Sequence, residues 1–263
     1  MNQSERRLYL ITSLIDERPG YRKSDIPRDA SQQKLLLRGL MNTREAAPPT
    51  PEFTRVQDEY LQEETARRGI TNARDLDPIE PGICLWQGDI TTLACDAIVN
   101  AANSGMTGCY IPNHKCIDNA IHTYAGIQLR CACADIMARQ GHPEPTGRAK
   151  ITPAFNLPCR YVLHTVGPIV GHEVTPHDEE LLASCYRSCL ELAAQNGLES
   201  IAFCCISTGE FHFPNDRAAQ IAVQAVRTFQ ATPTSIKKVI FNVFKDEDKA
   251  IYSRLLGSGR TAR

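Results

Sequence analysis

Charge of one sign is what this chain lacks first: 29 Lys and Arg stand against 30 Asp and Glu, a formal net charge of −1. Without a dominant sign there is no electrostatic basis for nucleic acid or an anionic membrane as main partner. Long apolar runs are missing too, since no stretch reaches the roughly 18 residues of a membrane span. The opening MNQSERRLYLITSLIDERPG holds only the short run LYLITSLI. Acidic residues follow it directly and no small-residue cleavage site is present, so it reads as structure and not as a signal peptide. Internal repeats and low-complexity tracts are absent, which excludes solenoid and linker architectures. Cysteine is absent from the first 83 residues.

What is present is an ordinary globular composition: 263 residues, 42% hydrophobic and 22% charged, enough to bury a full core. The eleven cysteines are odd in number. Cys131 and Cys133, two apart, point to separate faces of a helix, and the adjacent Cys204 and Cys205 point to opposite sides of a strand. Neither pair suggests a disulfide framework. These are expected to be buried, reduced thiols of a cytoplasmic protein.

Apolar periodicity predicts helices over ERRLYLITSLIDE, over SQQKLLLRGLMN behind an Asp29 or Ser31 cap, and over EFTRVQDEYLQEETARR. The prolines of EAAPPTPEF separate the second from the third. Residues 1–80 are therefore expected to form a helical extension packed on a main domain over 81–263. From about Pro81 the pattern alternates. ICLWQG, DAIVNAA, AKITPAF, YVLHTV, SIAFCCIS and KKVIFNVF predict strands, several apolar without a break, as in sheets covered on both faces. NAIHTYAGIQLRCACADIMARQ, DEELLASCYRSCLELAAQNG, DRAAQIAVQAVRTFQ and DEDKAIYSRLL predict helices. The fold class that follows is α/β, a three-layer α/β/α sandwich.

One loop concentrates metal-ligand types. Cys109, His114 and Cys116 form C-x4-H-x-C, and thiolate plus imidazole suits zinc. Three protein ligands leave the fourth tetrahedral position open, the arrangement of catalytic sites. The segment lies between a predicted strand end at NAAN and a helix start near Asp118, where ligands of α/β sheets bind. The spacing also permits a plain loop made by Gly108 and Pro112, with the cysteines in the core. Cys185 and Cys189 share an apolar helix face without a nearby histidine and are expected in the core. His142, His172 and His177 read as surface residues and His164 as a core histidine.

Four further stretches carry a resemblance. QGDIT at 87–91 precedes DAIVNAAN at 96–103, HTVGP stands at 164–168, and ISTGEFHFP at 206–214. In this order they resemble the macrodomain family, which binds ADP-ribose, over roughly residues 82 to 257. TGRAKIT at 146–152 and the AG of HTYAG fit as well. The helical extension together with C-x4-H-x-C looks like one branch, the zinc-dependent bacterial macrodomains that remove ADP-ribose from proteins.

The resemblance implies a mixed sheet, one Zn2+ per chain on Cys109, His114 and Cys116, and roles for named residues. Asp89 would accept from the adenine amino group beside the Ile90 backbone, or else merely cap the turn GDITT. Ser207, Thr208 and Gly209 are small enough for backbone N–H groups to close around a diphosphate, a nest that needs no positive side chain. Glu210 belongs to the same ADP-ribose-binding stretch, and Phe211 would pack on the distal ribose. Asn103 would reach the ribose hydroxyls as a catalytic residue, while Asn100 braces the loop. Asp118 and His122, four apart, share a helical face. In better-known hydrolytic macrodomains an aspartate at this spacing handles the attacking water, but here the glycine-rich loop before it is replaced by the ligand-bearing one. Asp118 would orient the water, cap the helix, or hold a zinc ligand from outside.

The activity implied is hydrolysis of mono-ADP-ribose from protein side chains, with Asp/Glu esters preferred and ADP-ribose released. Zinc would orient the ribose or lower the pKa of a bound water towards about 7. A lipoyl-carrier protein modified by a sirtuin-type ADP-ribosyltransferase is the partner that the resemblance suggests. The competing expectations are a reader that binds ADP-ribosylated partners without cleavage, and an O-acetyl-ADP-ribose deacetylase.

Overall fold

Strands that are apolar on both faces need a covering layer on each, and the order of elements along the chain supplies it. The structure is a computed structural model that describes residues 1–18, 20 and 22–257. Residues 258–263 of the expected main domain therefore lie outside the described residues.

Three helices come first: α1 (Gln3–Asp16), α2 (Ala30–Asn42) and α3 (Pro51–Arg68). Each has a side-chain cap on its first turn, which satisfies donors that the helix leaves orphaned. Asn2 and Glu5 form a reciprocal capping box on α1. Asp29, of the two candidates, caps α2 through Gln32 N at 2.9 Å. Thr50 caps α3 ahead of Pro51, whose missing N–H costs nothing at a first helical position. Their apolar stripes meet in a core of their own, with Leu10, Leu14, Leu37, Phe53 and Val56 joined by Ile127 from later in the chain. Each such side chain contributes roughly 1.5–3 kcal/mol on burial.

The rest builds a sheet. A short strand β1 (Thr71–Asn72) pairs with β3 (Leu93–Ala94), while β2 (Ile83–Gln87) and β4 (Ala97–Ala102) enter the main sheet. There follow α4 (Ile117–Ala125), α5 (Ile127–Gln140), β5 (Ala149–Pro153), β6 (Tyr161–Val166), α6 (Pro176–Gln195), β7 (Ser200–Phe203), α7 (Asn215–Gln230), β8 (Lys238–Val243) and α8 (Asp246–Gly257). The six-stranded order is β2-β8-β7-β4-β6-β5, parallel except for the antiparallel edge pair β5–β6. Helices cover both faces, as the unbroken apolar strands require. Cys185 and Cys189 are fully buried between α6 and the sheet, and all eleven cysteines are free thiols.

Two boundaries differ from the sequence reading by more than two residues. The helical stretch from Asn119 to Gln140 is two helices, broken at Gly126, whose φ of 95° is outside the helical range. The break is held from α3, because Gln57 Oε1 accepts from Ile127 N at 3.0 Å. The strand predicted over SIAFCCIS stops at Phe203, so Cys204 to Ser207 already belong to a loop.

Candidate functional site

Five parallel strands bring their C-terminal ends to one edge of the sheet, the usual ligand-binding edge. The loops that leave this edge touch one another. Gly88 N donates to Val243 O at 3.0 Å, and Val170 N donates to Phe211 O at 2.9 Å. His114 Nε2 lies 3.5 Å from Glu210 Oε1, which joins the loop after β4 to the loop after β7.

Asp89 follows β2. Its Oδ1 accepts from Thr91 N at 3.0 Å and from Thr91 Oγ1 at 2.6 Å, so it does cap the turn. Its Oδ2 accepts from Arg68 Nη1 at 2.7 Å. A carboxylate offers about four acceptor positions, so one remains, and the side chain is 40% exposed. Capping and ligand recognition are therefore compatible here. Arg68, the last residue of α3, also stacks its guanidinium 3.6 Å over the Tyr124 ring. Ile90 is buried. Phe244 directly follows β8 beside this turn and is 75% exposed, a large apolar ring standing free at the ligand edge. The sequence reading passed over both Arg68 and Phe244. The signal for Phe244 was an aromatic placed just past a strand that ends at the ligand edge; for Arg68 there was none.

Residues 204–214 form the second loop. Ser207 has a φ of 65°, and its Oγ is buried without a partner. The loop is pinned by Phe213 N donating to Ser207 O at 2.9 Å and Thr208 Oγ1 donating to Cys205 O at 3.1 Å. The successive N–H groups of Thr208, Gly209, Glu210 and Phe211 donate to no protein acceptor among the described residues. Consecutive free donors on one tight turn make an anion-binding concavity without any cation nearby. Gly167 packs against this turn so closely that a Cβ there would lie 2.0 Å from Ser207 Oγ.

The third loop, residues 103–116, carries the ligand types. Asn103 is exposed and holds the loop's start: its Oδ1 accepts from Gly105 N at 2.9 Å and its Nδ2 donates to Gly108 O at 3.1 Å. The ligand atoms of Cys109, His114 and Cys116 lie within 4.8 Å of one another, with Cys109 Sγ 3.5 Å from His114 Nδ1. Tetrahedral zinc with the usual Zn–S and Zn–N lengths would separate a sulfur and a nitrogen by about 3.6 Å. The three side chains therefore fit that ion. Cys116 is also the N-cap of α4, its Sγ accepting from Asn119 N at 3.4 Å. Burial pushes the Cys116 thiol up to about 12; the Asn119 N–H opposes the rise and the Cys109 sulfur adds to it. The Cys116 sulfur so placed holds its proton unless a cation displaces it.

Asp118 lies beneath this loop and is buried. The helix cap is Cys116, so capping is not the role of Asp118. Its Oδ1 accepts from Asn100 Nδ2 at 2.8 Å and lies 3.5 Å from His122 Nε2. Burial raises its carboxyl to about 6, against the Asn100 hydrogen bond and the Arg130 charge. His122 is kept neutral by burial, then by His164 and Arg130. Neither of its ring nitrogens makes a hydrogen bond among the described residues, and the ring packs under Gly108, where a Cβ would lie 2.8 Å away.

A second group, His122, Cys133 and His164, has ligand atoms equally close and fully buried. Its chemistry differs, because both His164 nitrogens are engaged: Nε2 with Thr152 Oγ1 at 2.9 Å and Nδ1 with Asn100 Nδ2 at 3.1 Å. The tautomer that accepts from Asn100 donates to Thr152, leaving no lone pair for a metal. His164 is thus the satisfied core histidine that its strand position predicts. His142, His172 and His177 are exposed.

A cavity of about 570 Å³ lies between α6 and α7, lined by Glu179, Arg187, Ile221 and Phe229 among others, and shares no residue with these loops. Among the described residues no helix is long and apolar enough to cross a membrane.

The macro domain model matches residues 99–222. A protein of Treponema medium named protein-ADP-ribose hydrolase is 57% identical over 260 residues, 97% of this chain and 100% of that protein. One of the same name from Staphylococcus aureus strain MSSA476 is 48% identical over 246 residues, 93% of this chain and 92% of the other. A solved structure of the Trypanosoma brucei macrodomain in complex with ADP-ribose superposes with a TM-score of 0.65 at 30% identity, covering 84% of this chain and 95% of that one. Fold and relatives agree, and the chain belongs to the macrodomain family.

Proposed function

We propose that the chain is a zinc-dependent hydrolase that removes mono-ADP-ribose from modified protein side chains and releases ADP-ribose. The relatives' name supports the reaction, and one observation carries the zinc reading: Cys109 Sγ and His114 Nδ1 stand at the separation of two ligands on one tetrahedral ion. The ligand is laid along the edge of the sheet in three contacts. Asp89 accepts the adenine amino hydrogen with its remaining acceptor position while Phe244 offers a ring to stack on. The amides of Thr208 to Phe211 donate to the diphosphate. Asn103, Phe211 and Glu210 surround the distal ribose, at the side where the loop ligands stand.

When bound, zinc supplies Lewis-acid polarisation at that ribose. Cys109, His114 and Cys116 hold it, and Glu210, facing the other nitrogen of His114, orients the imidazole as an outer carboxylate does. Asn103 fixes the sugar through the donor and acceptor capacity that it does not spend on its own loop. Asp118, buried next to Asn100, serves the attacking water.

Carboxylate-linked ADP-ribose is the preferred substrate, with a lipoyl-carrier protein modified by a sirtuin-type transferase as the partner to try first. Mass spectrometry of products from a defined mono-ADP-ribosylated protein and from O-acetyl-ADP-ribose tests this. Release of ADP-ribose with restoration of the unmodified protein is expected. Binding without turnover would leave a reader, and turnover of the acetyl ester alone a deacetylase. The metal is tested by Cys116→Ala: a variant that contains no zinc and still cleaves at the parental rate would overturn the zinc reading.

A further inference from the structure

The loop that carries Cys109, His114 and Cys116 is not held by its own domain alone. From α2, Arg38 Nη2 donates to the carbonyl of His114 at 3.0 Å and to Asn119 Oδ1 at 2.8 Å. Asn42, one turn later, accepts from Asn113 N at 3.0 Å and donates to Thr123 Oγ1 at 2.9 Å. Asn113 has a φ of 56°, a left-handed conformation that asparagine adopts more readily than most residues and that the Asn42 contact fixes in place. Gly39, between the two, lets the helix approach: a Cβ there would meet Asn113 Nδ2 at 3.3 Å and Pro112 Cβ at 3.6 Å. Arg38, Gly39 and Asn42 fall on one helical face, and that face lies against residues 112–114.

Two partners complete the brace. Asn119, fully buried, binds Arg38, donates its side chain to Ile111 O at 3.0 Å and gives its N–H to Cys116 Sγ. Arg130 of α5 donates to Thr107 O at 2.7 Å, lies 4.1 Å from the Tyr110 ring centroid, and binds the carbonyl of Met41 in the last turn of α2 and that of Arg44 just past its end. Both limbs of the metal loop are therefore tied to one helix of the N-terminal extension. Among the described residues no hydrogen bond or ion pair runs from α2 to Asp89, which is held from α3, or to the amide turn at 207–211, which is pinned within its own loop.

We infer that α2 is the platform that preorganises the zinc loop, with Arg38 and Asn42 as positioning residues, so that metal affinity depends on this helix while nucleotide affinity does not. The inference rests on the zinc reading above and extends it to the extension. Outer partners that orient metal ligands typically change metal affinity about 10- to 100-fold when removed. The backbone of His114 is fixed by Arg38, which sets where the imidazole can point. Arg38→Ala frees that carbonyl and leaves Asn119 with one partner fewer, while Asn42→Ala releases the Asn113 backbone.

The test titrates zinc into the full-length chain against a chromophoric chelator, and measures ADP-ribose binding to the metal-free protein by calorimetry. Arg38→Ala and Asn42→Ala are each expected to weaken zinc binding about 10-fold or more. Their ADP-ribose affinities should stay within about twofold of the parent, since that half of the site is untouched. Arg38→Lys, which keeps one donor, should recover part of the zinc affinity. Leu10→Ala is the control for general loosening: it opens the extension's core without touching the loop, and should lower the melting temperature with zinc affinity kept. Equal losses of zinc affinity in Leu10→Ala and Arg38→Ala would overturn the positioning role, as would parental zinc affinity in both α2 variants. A parent chain that binds no zinc would instead overturn the zinc reading itself, and this inference with it.

Discussion

The loops after β7 and β4 leave neighbouring strands of the same sheet, yet they are built in opposite ways. The loop after β7 works with its backbone. Its turn residues Ser207, Thr208 and Gly209 are small, it is pinned by hydrogen bonds within itself, and four successive N–H groups have no protein acceptor among the described residues. The loop after β4 works with side chains, and its conformation is secured by arginine and asparagine residues on helices far away in sequence. An anion can be held by dipoles that every residue carries, so small size and a tight turn suffice. A cation needs particular atoms at particular separations, and long side chains on a loop reach them only when something else fixes the backbone.

The sharpest way to break the comparison is to remove a ligand from one loop and watch the other. Cys116→Ala should abolish bound metal by elemental analysis and cut ADP-ribose release by more than the about 100-fold that loss of an outer partner costs. ADP-ribose binding by calorimetry should change less than about threefold, because the amide turn is untouched. Gly209→Pro is the reverse experiment. It deletes one N–H from the turn, and a lost hydrogen bond to a charged group costs about 1.5–3 kcal/mol, roughly 10- to 100-fold in ADP-ribose affinity. Zinc content should stay at the parental level. Gly209→Ala, whose Cβ meets nothing within 4 Å, should bind nearly as the parent does and shows that the donor, not the space, matters.

Asp89→Ala should weaken ADP-ribose about 10-fold in the same calorimetric assay while a ligand without the adenine, ribose 5-phosphate, is unaffected. Arg68→Ala should have the smallest effect, about threefold on ADP-ribose affinity. The Arg68 pair with Asp89 is partly solvated and its stacking on Tyr124 is worth about 0.5–1 kcal/mol. If Arg68→Ala weakened zinc binding as strongly as Arg38→Ala, the division between the two halves of the site would be wrong.

All six main-sheet strands were legible in the sequence because each is a short apolar run between turn residues. The chief failure at the helix level, Gly126, is instructive. A glycine within a helical pattern is usually tolerated, so the pattern on either side continues in phase and conceals the break. The break exists because Gln57, 70 residues earlier, is positioned to cap Ile127. The strand reading of SIAFCCIS overran for a similar reason: Cys204 and Ile206 are as apolar as the strand before them, and burial in a loop looks like burial in a sheet. Asp118 was recognisable as a residue that shares a face with His122, but not as a buried acceptor for Asn100, since only the pairing of β4 against α4 brings those two side chains together.

The chain's own letters determined which atoms are available and in what order: two sulfurs and an imidazole within one loop, a run of small residues in another, and an aspartate ahead of both. Those are local matters, set by residue type and spacing of a few positions. Tertiary structure alone decided what holds them. Arg38 and His114 are 76 positions apart, and Arg68 and Asp89 are 21 apart. A hydrogen bond depends on a separation of about 3 Å and on direction, and no pattern of nearby residues encodes a distance across the fold.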